Sequence, residues 1–308
     1  MSSLFPAFRV NMLLGVLVCL AFACDNPKEF PDPEPLFAGT GVFTYSDYAP
    51  LAAKPIAVFY HIPENVGPTT PIVFVFHGTN RNAVDYRNAW INKAEEKEFM
   101  IFAPRFTDNQ FPGGDAYNLG NVFEDGDNPS AGSLNPEEVW TFSVIEPLFD
   151  HIKTSMENFS SRYHVFGHSA GAQFVHRLLM LKPEGRYGKV VASAAGWYTV
   201  PDIAIDFPYG IGQSPVEESD LSLLFGQDLV LIVGAQDNDP NAPALRRNSI
   251  VDQQGTHRLA RAQHFFERAQ EIATKVDGSF QWKLEDPLPG VGHDFRATSR
   301  VAADLISE

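Results

Sequence analysis

Hydrophobic positions follow two rhythms along the chain. Some runs are apolar without a break, IVFVF at 72–76 and LVLIV at 229–233 most plainly. A strand with one wet face alternates apolar with polar, so an unbroken run reads as a strand covered on both faces. On this pattern strands are predicted at Gly41 to Tyr45, Ile56 to His61, Ile72 to His77, Phe99 to Ala103, Tyr163 to Phe166, Val190 to Ala194, Leu229 to Val233 and Phe280 to Leu284. Between them the period lengthens to that of a helix: Val139, Phe142, Ile145, Phe149 and Ile152 share one face, as do Leu259, Ala262, Phe266, Ala269 and Ile272. Strands alternating with helices predict an α/β fold, a mostly parallel sheet of about eight strands with helices on both faces. Residues 41–308 read as a single domain without internal repeats. Ligands of such sheets gather beyond the carboxyl ends of the strands, so chemistry is sought in the residues that follow each one.

Residues 1–23 follow neither rhythm. One charge, Arg9, precedes an apolar run from Leu13 to Ala23 that is too short to span a bilayer and fits the core of a signal peptide. Ala21-Phe22-Ala23 has the small-x-small pattern of a cleavage site and stands directly before Cys24. LAFAC also resembles a bacterial lipobox, with Ala21 where Leu is usual. Both outcomes stay open: a protein anchored through a diacylated Cys24, or one freely secreted to the periplasm or the medium. The Pro-rich residues 24–40 read as a tether.

Composition narrows the partners. With 23 Lys+Arg against 38 Asp+Glu the formal charge is −15, and Lys and Arg nowhere form a cluster of five or more. Phosphate backbones and anionic lipid would repel such a chain, which excludes nucleic acid and leaves Cys24 as the one route to a membrane. Both cysteines, Cys19 and Cys24, lie in the export segment, so the domain has neither a disulfide nor a thiolate metal site. An H-E-x-x-H or comparable His cluster is also absent, so no metal and no other cofactor is expected.

The chemistry is carried by four segments at strand ends. After YHVF comes Gly167-His168-Ser169-Ala170-Gly171 and then a helical AQFVHRLLML. Strand, G-x-S-x-G and helix are the context of a nucleophile elbow, in which the serine occupies a strained turn and the glycines admit crowded backbone. Ser169 would stand above the sheet at a helix N-terminus, which favours developing negative charge. A serine hydroxyl needs a base, and the base needs an acid to orient it. Asp237 lies just past the strand at 229–233 and is preferred as the acid over Asp239, which precedes Pro240. His293, in PGVGHDF after the last strand, is the base candidate. The backbone N–H groups of Thr79, in His77-Gly78-Thr79-Asn80 after IVFVF, and of Ala170 would form the oxyanion hole.

HGTN, GHSAG, GAQDND and GVGHDF together resemble the α/β-hydrolase superfamily from about residue 40 to the C-terminus, in the chain order Ser, Asp, His. Within it the chain resembles secreted serine esterases of the polyhydroxybutyrate-depolymerase and feruloyl-esterase type. That resemblance implies a cofactor-free enzyme cleaving carboxylic esters, small or polymeric, through an acyl-enzyme. Disulfides commonly brace secreted depolymerases, and this chain has none. Two other functions are compatible with the fold: a serine peptidase or amidase of the prolyl-oligopeptidase-like type, and a non-catalytic binding module.

Nine acidic residues and no basic one lie between Arg105 and Lys153. The stretch 106–138 is too long for a simple connection and reads either as a lid walling the site or as a solvated excursion. As a lid it would offer Phe111, Tyr117 and Phe123 to a substrate. Asp125 and Asp127 provide oxygen donors for Ca²⁺, at a spacing that fits no known loop. Trp197 and Tyr198, after the strand at 190–194, either line the pocket or cap the core. Apolar walls in an acidic field suit an uncharged or aromatic ester, and a polyanionic substrate is expected to be disfavoured.

Overall fold

The computed structural model describes Met1 and residues 33–130 and 132–308. The predicted export segment and Cys24 lie outside the described residues, and so does most of the tether. The first strand, β1 (Gly39–Tyr45), takes Gly39 and Thr40 from the end of that tether.

Seven further strands follow: β2 (Ile56–Ile62), β3 (Ile72–Phe76), β4 (Met100–Arg105), β5 (Tyr163–His168), β6 (Tyr187–Ser193), β7 (Asp228–Ile232) and β8 (Lys283–Leu284). They form one sheet in the order β1-β2-β4-β3-β5-β6-β7-β8. The pairs β1/β2 and β2/β4 are antiparallel and the other five are parallel. The sheet is therefore mixed, with its antiparallel part at one edge.

Among the described residues six helices cover it: α1 (Ala83–Lys97), α2 (Ile145–Ser155), α3 (Ala170–Leu181), α4 (Leu221–Phe225), α5 (Arg258–Ala273) and α6 (Phe295–Ile306). The central strand β3 shows why the apolar runs lack alternation. Val73 and Val75 pack with Trp90 of α1 and Ala302 of α6, whereas Phe74 and Phe76 pack on the other face with residues of α2, α3 and α5. All five β3 side chains are fully buried. At ~1.5–3 kcal/mol for each apolar side chain, a one-residue slip that exchanged the two faces would be heavily penalised. Among the described residues no helix is long and apolar enough to cross a membrane.

Register brings the functional segments to one rim. Phe76 pairs with Gly167, His168 with Ser193, and Ser193 with Ile232, so β3, β5, β6 and β7 end level. Beyond β8 the chain keeps pairing with the end of β7: Gly234 bridges Leu288, and the amides of Ala235 and Gln236 donate to Leu288 O and Val291 O. That extension places the 291–293 turn beside the 234–237 turn.

Candidate active site

Ser169 joins β5 to α3 with φ 58° and ψ −117°, a conformation that costs of order 1–3 kcal/mol for a residue with a Cβ. Its amide donates to Ser193 O at 2.9 Å, which ties the turn to the neighbouring strand. The flanking glycines are sterically required. A Cβ on Gly167 would lie 2.2 Å from Gly171 O, and one on Gly171 would lie 2.3 Å from Phe76 O. This close approach drives the start of α3 against the end of β3 and sets the Gly78 backbone beside Ser169 Cβ. The first turn of α3 leaves its amides without helical partners. Neither the Ala170 N–H nor the Thr79 N–H donates to any group among the described residues. Asn80 does not start the following helix; Asn82 takes the N-cap position of α1.

Across the rim, His293 Nδ1 lies 2.7 Å from Asp237 Oδ2. Asp237 is buried, and its second oxygen accepts from Arg258 Nη1 at 3.3 Å. Arg258 opens α5 and is equally buried, so the carboxylate is held from both sides. Asp239 is exposed and accepts from the Asn241 amide instead. Ser169 and His293 line one cleft of about 160 Å³ together with Gly78, Thr79, Asn80 and Phe295. No hydrogen bond joins the Ser169 hydroxyl to the imidazole; catalytic contacts of this kind often tighten only in the Michaelis complex. A hydroxyl and an imidazole backed by a carboxylate on one cleft, with the free amides of Thr79 and Ala170 adjoining, are the parts that acyl transfer requires.

Two further histidines in the motifs hold backbone and packing. His77 is fully buried, with Nδ1 on Gly78 O at 2.9 Å and Nε2 accepting from the Phe106 amide at 3.2 Å. It clamps the 77–78 turn to the end of β4. Burial, with Arg81 and Arg105 nearby, pushes its pKa down to about 3. His168 packs its ring on that of His293, with centroids 4.5 Å apart, and burial holds it well below the ordinary range. Burial does the same to His176 and takes His164 down to about 4.

These four histidines fold as neutral rings while the unfolded chain protonates near 6.5. Their contribution is complete above about pH 6.5 and is lost as the pH falls below it toward the lowered values of the folded state. The urea midpoint is therefore expected to be the same at pH 8 and 7 and clearly lower at pH 5. A midpoint unchanged from pH 7 to 5 would contradict the neutral buried rings.

A second cleft, of about 370 Å³, opens next to the first and shares Thr79 with it. The 106–138 stretch walls this cleft through Asp108, Asp115, Tyr117, Asn118 and Asp127, rather than standing off as a solvated excursion. Of the five aromatic residues expected to touch substrate, Trp197 lines the cleft and Tyr117 borders it beneath the Arg81 guanidinium. The other three belong to the core. Phe111 packs edge-on against Phe106, Phe123 against Phe207, and Tyr198 is stacked on Phe265. Asp125 caps the amides of Asp127 and Asn128, while Asp127 pairs with Arg246. No group of His, Cys, Asp and Glu among the described residues is arranged to hold a metal ion.

No protein-family model and no curated protein matches the sequence. Solved structures do. Poly(aspartic acid) hydrolase-1 from Sphingomonas sp. KT-1 is 37% identical, with a TM-score of 0.84 over 89% of this chain and 100% of that one. LpqC, a poly(3-hydroxybutyrate) depolymerase from Bordetella parapertussis, is 34% identical, with a TM-score of 0.80 over 87% and 89% of the two chains. The chain belongs to the α/β-hydrolase superfamily. An S-formylglutathione hydrolase from Agrobacterium tumefaciens, at 16% identity and a TM-score of 0.55 over 89% of this chain and 95% of that one, shares the fold. In this α/β-hydrolase the 77–78, 169–170, 234–237 and 291–293 segments stand where the sequence put its chemistry, at the carboxyl ends of the strands. Arg258 is the residue that sequence reasoning missed. It is a cation in the first turn of a helix, where the macrodipole disfavours one, and that misfit was a signal of a buried partner.

Proposed function

We propose that this α/β-hydrolase cleaves carboxylic esters through an acyl-enzyme formed on Ser169. The hydroxyl attacks the ester carbonyl while His293 Nε2 takes its proton, and the oxyanion of the tetrahedral intermediate accepts from the Thr79 and Ala170 amides. Collapse of the intermediate expels the alcohol, which receives that proton. Water, deprotonated by the same imidazole, then releases the acid and restores the serine. Asp237 fixes the tautomer, so that Nδ1 carries hydrogen and Nε2 is free to accept. The observation that carries this reading is the 2.7 Å contact between a buried Asp237 and His293, which shares one cleft with Ser169.

An amide-cleaving variant of the same chemistry is the second reading. It is favoured by one neighbour at 37% identity that is named for poly(aspartic acid), a polyamide. We further propose export through residues 1–23, with Cys24 as the first residue of the mature protein.

One set of measurements tests these points. Purified enzyme should hydrolyse p-nitrophenyl butyrate faster than the matching p-nitroanilide, and a fluorophosphonate should add to Ser169. Mass spectrometry of the labelled mature protein reads the adduct and the N-terminal residue together. Labelling elsewhere would refute the nucleophile, a faster anilide would shift the reading to an amidase, and an intact residue 1 would refute export by cleavage. The mass at Cys24 separates a diacylated from a free N-terminus.

A further inference from the structure

The second cleft is more polar than the apolar walls in an acidic field expected from the sequence. It is lined by Arg81 and Arg246, both supplied by other segments of the chain. Behind its wall lies Arg177, fully buried, which no carboxylate among the described residues approaches as an ion-pair partner. Arg177 Nε donates to Thr199 Oγ1 at 2.7 Å and Nη1 to Asn118 O at 2.9 Å, while Nη2 has no partner. Burial and the nearby Arg246 charge work against this cation, and the Asp127 charge favours it. A guanidinium keeps its proton in proteins, so a buried cation stands behind the wall without a carboxylate in direct contact. Trp197 lies between the Arg177 and Arg246 guanidinium groups, 4.2 and 4.7 Å from its ring centroid. Its faces tolerate two cations that would otherwise repel at close range.

We infer that this cleft takes a substrate bearing a free carboxylate, held on the Arg246 fork beside the scissile carbonyl. This presupposes the Ser169 chemistry proposed above, and it names the class of substrate. Arg246 already shows what it binds: Nη1 and Nη2 grip Asp127 Oδ1 and Oδ2 at 2.6 and 3.0 Å. That is the two-pronged geometry a guanidinium offers to any carboxylate.

The cations are fixed and the anions are replaceable. Arg261, itself buried, donates to Arg246 O and to Gly196 O, so one guanidinium anchors the backbone at Arg246 and next to Trp197. Arg81 is held by Phe106 O and Gly113 O over the Tyr117 ring. By contrast the side chains of Asp127 and Asp108 are 49% and 75% exposed, and Asp108 stands 3.6 Å from Arg81. Asp115, the third carboxylate of the cleft, has its pKa raised by burial and by Asp127 and Asp125. A ligand carboxylate that displaces Asp127 into water keeps the Arg246 fork filled and takes over its charge beside Arg177.

The test uses binding and turnover separately. Glutarate should bind Ser169→Ala protein by calorimetry, about tenfold more tightly when Asp127→Asn is added and at least about tenfold more weakly with Arg246→Gln; sulfate should not compete. In active enzyme the kcat/KM for esters with a free carboxylate, on the acyl or the alcohol side, relative to matched neutral esters should exceed one. That ratio should fall with Arg246→Gln and rise with Asp127→Asn. Opposite signs from the two variants exclude a general loss of folding. Neutral esters cleaved in a Ser169-dependent way, with the ratio below one and unmoved by both variants, would sink the subsite and spare the hydrolase. Glutarate binding that follows both variants without turnover of any ester would keep the subsite and sink the chemistry.

Discussion

Ser169→Ala is expected to lower kcat for ester hydrolysis by at least about 10⁴-fold, with the folded state intact. The strained turn is the reason the effect should be chemical. Its φ of 58° is imposed by the level ends of β3, β5 and β6 and by the Gly167–Gly171 contact, and alanine meets the same cost for its Cβ that serine does. The amide that ties residue 169 to Ser193 O is retained in the variant. What is lost is the proposed nucleophile above the α3 N-terminus, while the proposed oxyanion amides and the cleft survive and leave a residual rate over water. Steady-state kinetics and a thermal melt together decide the matter. A variant that keeps its melting temperature and more than about a tenth of wild-type kcat would place the nucleophile elsewhere; at that level the residual catalysis expected of an oxyanion hole alone is far exceeded.

Much of this arrangement was legible in the chain because its signals are local. β3 and β7 announce themselves as unbroken apolar runs, since a strand buried on both faces has no position where a polar group is cheap. Ser169 is legible because strand, glycine pair and helix must coincide within a few residues. The aromatic residues were harder. Phe111, Phe123 and Tyr198 carry the composition of a pocket wall, but apolar area is buried wherever it can be, and only tertiary packing decides whether a ring meets a ligand or Phe207. On α5 the face held at Ala262, Ala269 and Ile272, but Phe265 is buried and Phe266 only partly, because Phe265 packs between Tyr198 and Trp282. The second cleft was read incompletely for a related reason. A charge run along the sequence says nothing about the cations that distant segments bring to it, and Arg81 and Arg246 stand among Asp108, Asp115 and Asp127 in this wall. Arg177 left a trace, as a lone cation inside the apolar AGAQFVHRLLML helix.

Asp237→Asn is expected to cost about 10³- to 10⁴-fold in kcat, and Asp239→Asn almost nothing. The amide at 237 would still meet His293 Nδ1, but it can present its NH₂ there, and the imidazole then keeps its hydrogen on Nε2, facing the serine as a donor instead of an acceptor. Arg258 makes this outcome steeper. Its guanidinium lies against Oδ1 in a nearly water-free site, so the substituted amide turns its oxygen toward Arg258, and its NH₂ is left for His293. The Asp237→Asn change also leaves the Arg258 cation buried without an anion, so a drop in stability should accompany the loss of activity. Asp239 offers neither contact: it is exposed and serves only the Asn241 amide. Rates for the two variants, each with its urea midpoint, separate the roles. If Asp239→Asn were the inactive one, the acid would have been assigned to the wrong side of Asn238, and the 2.7 Å contact at His293 would be structural.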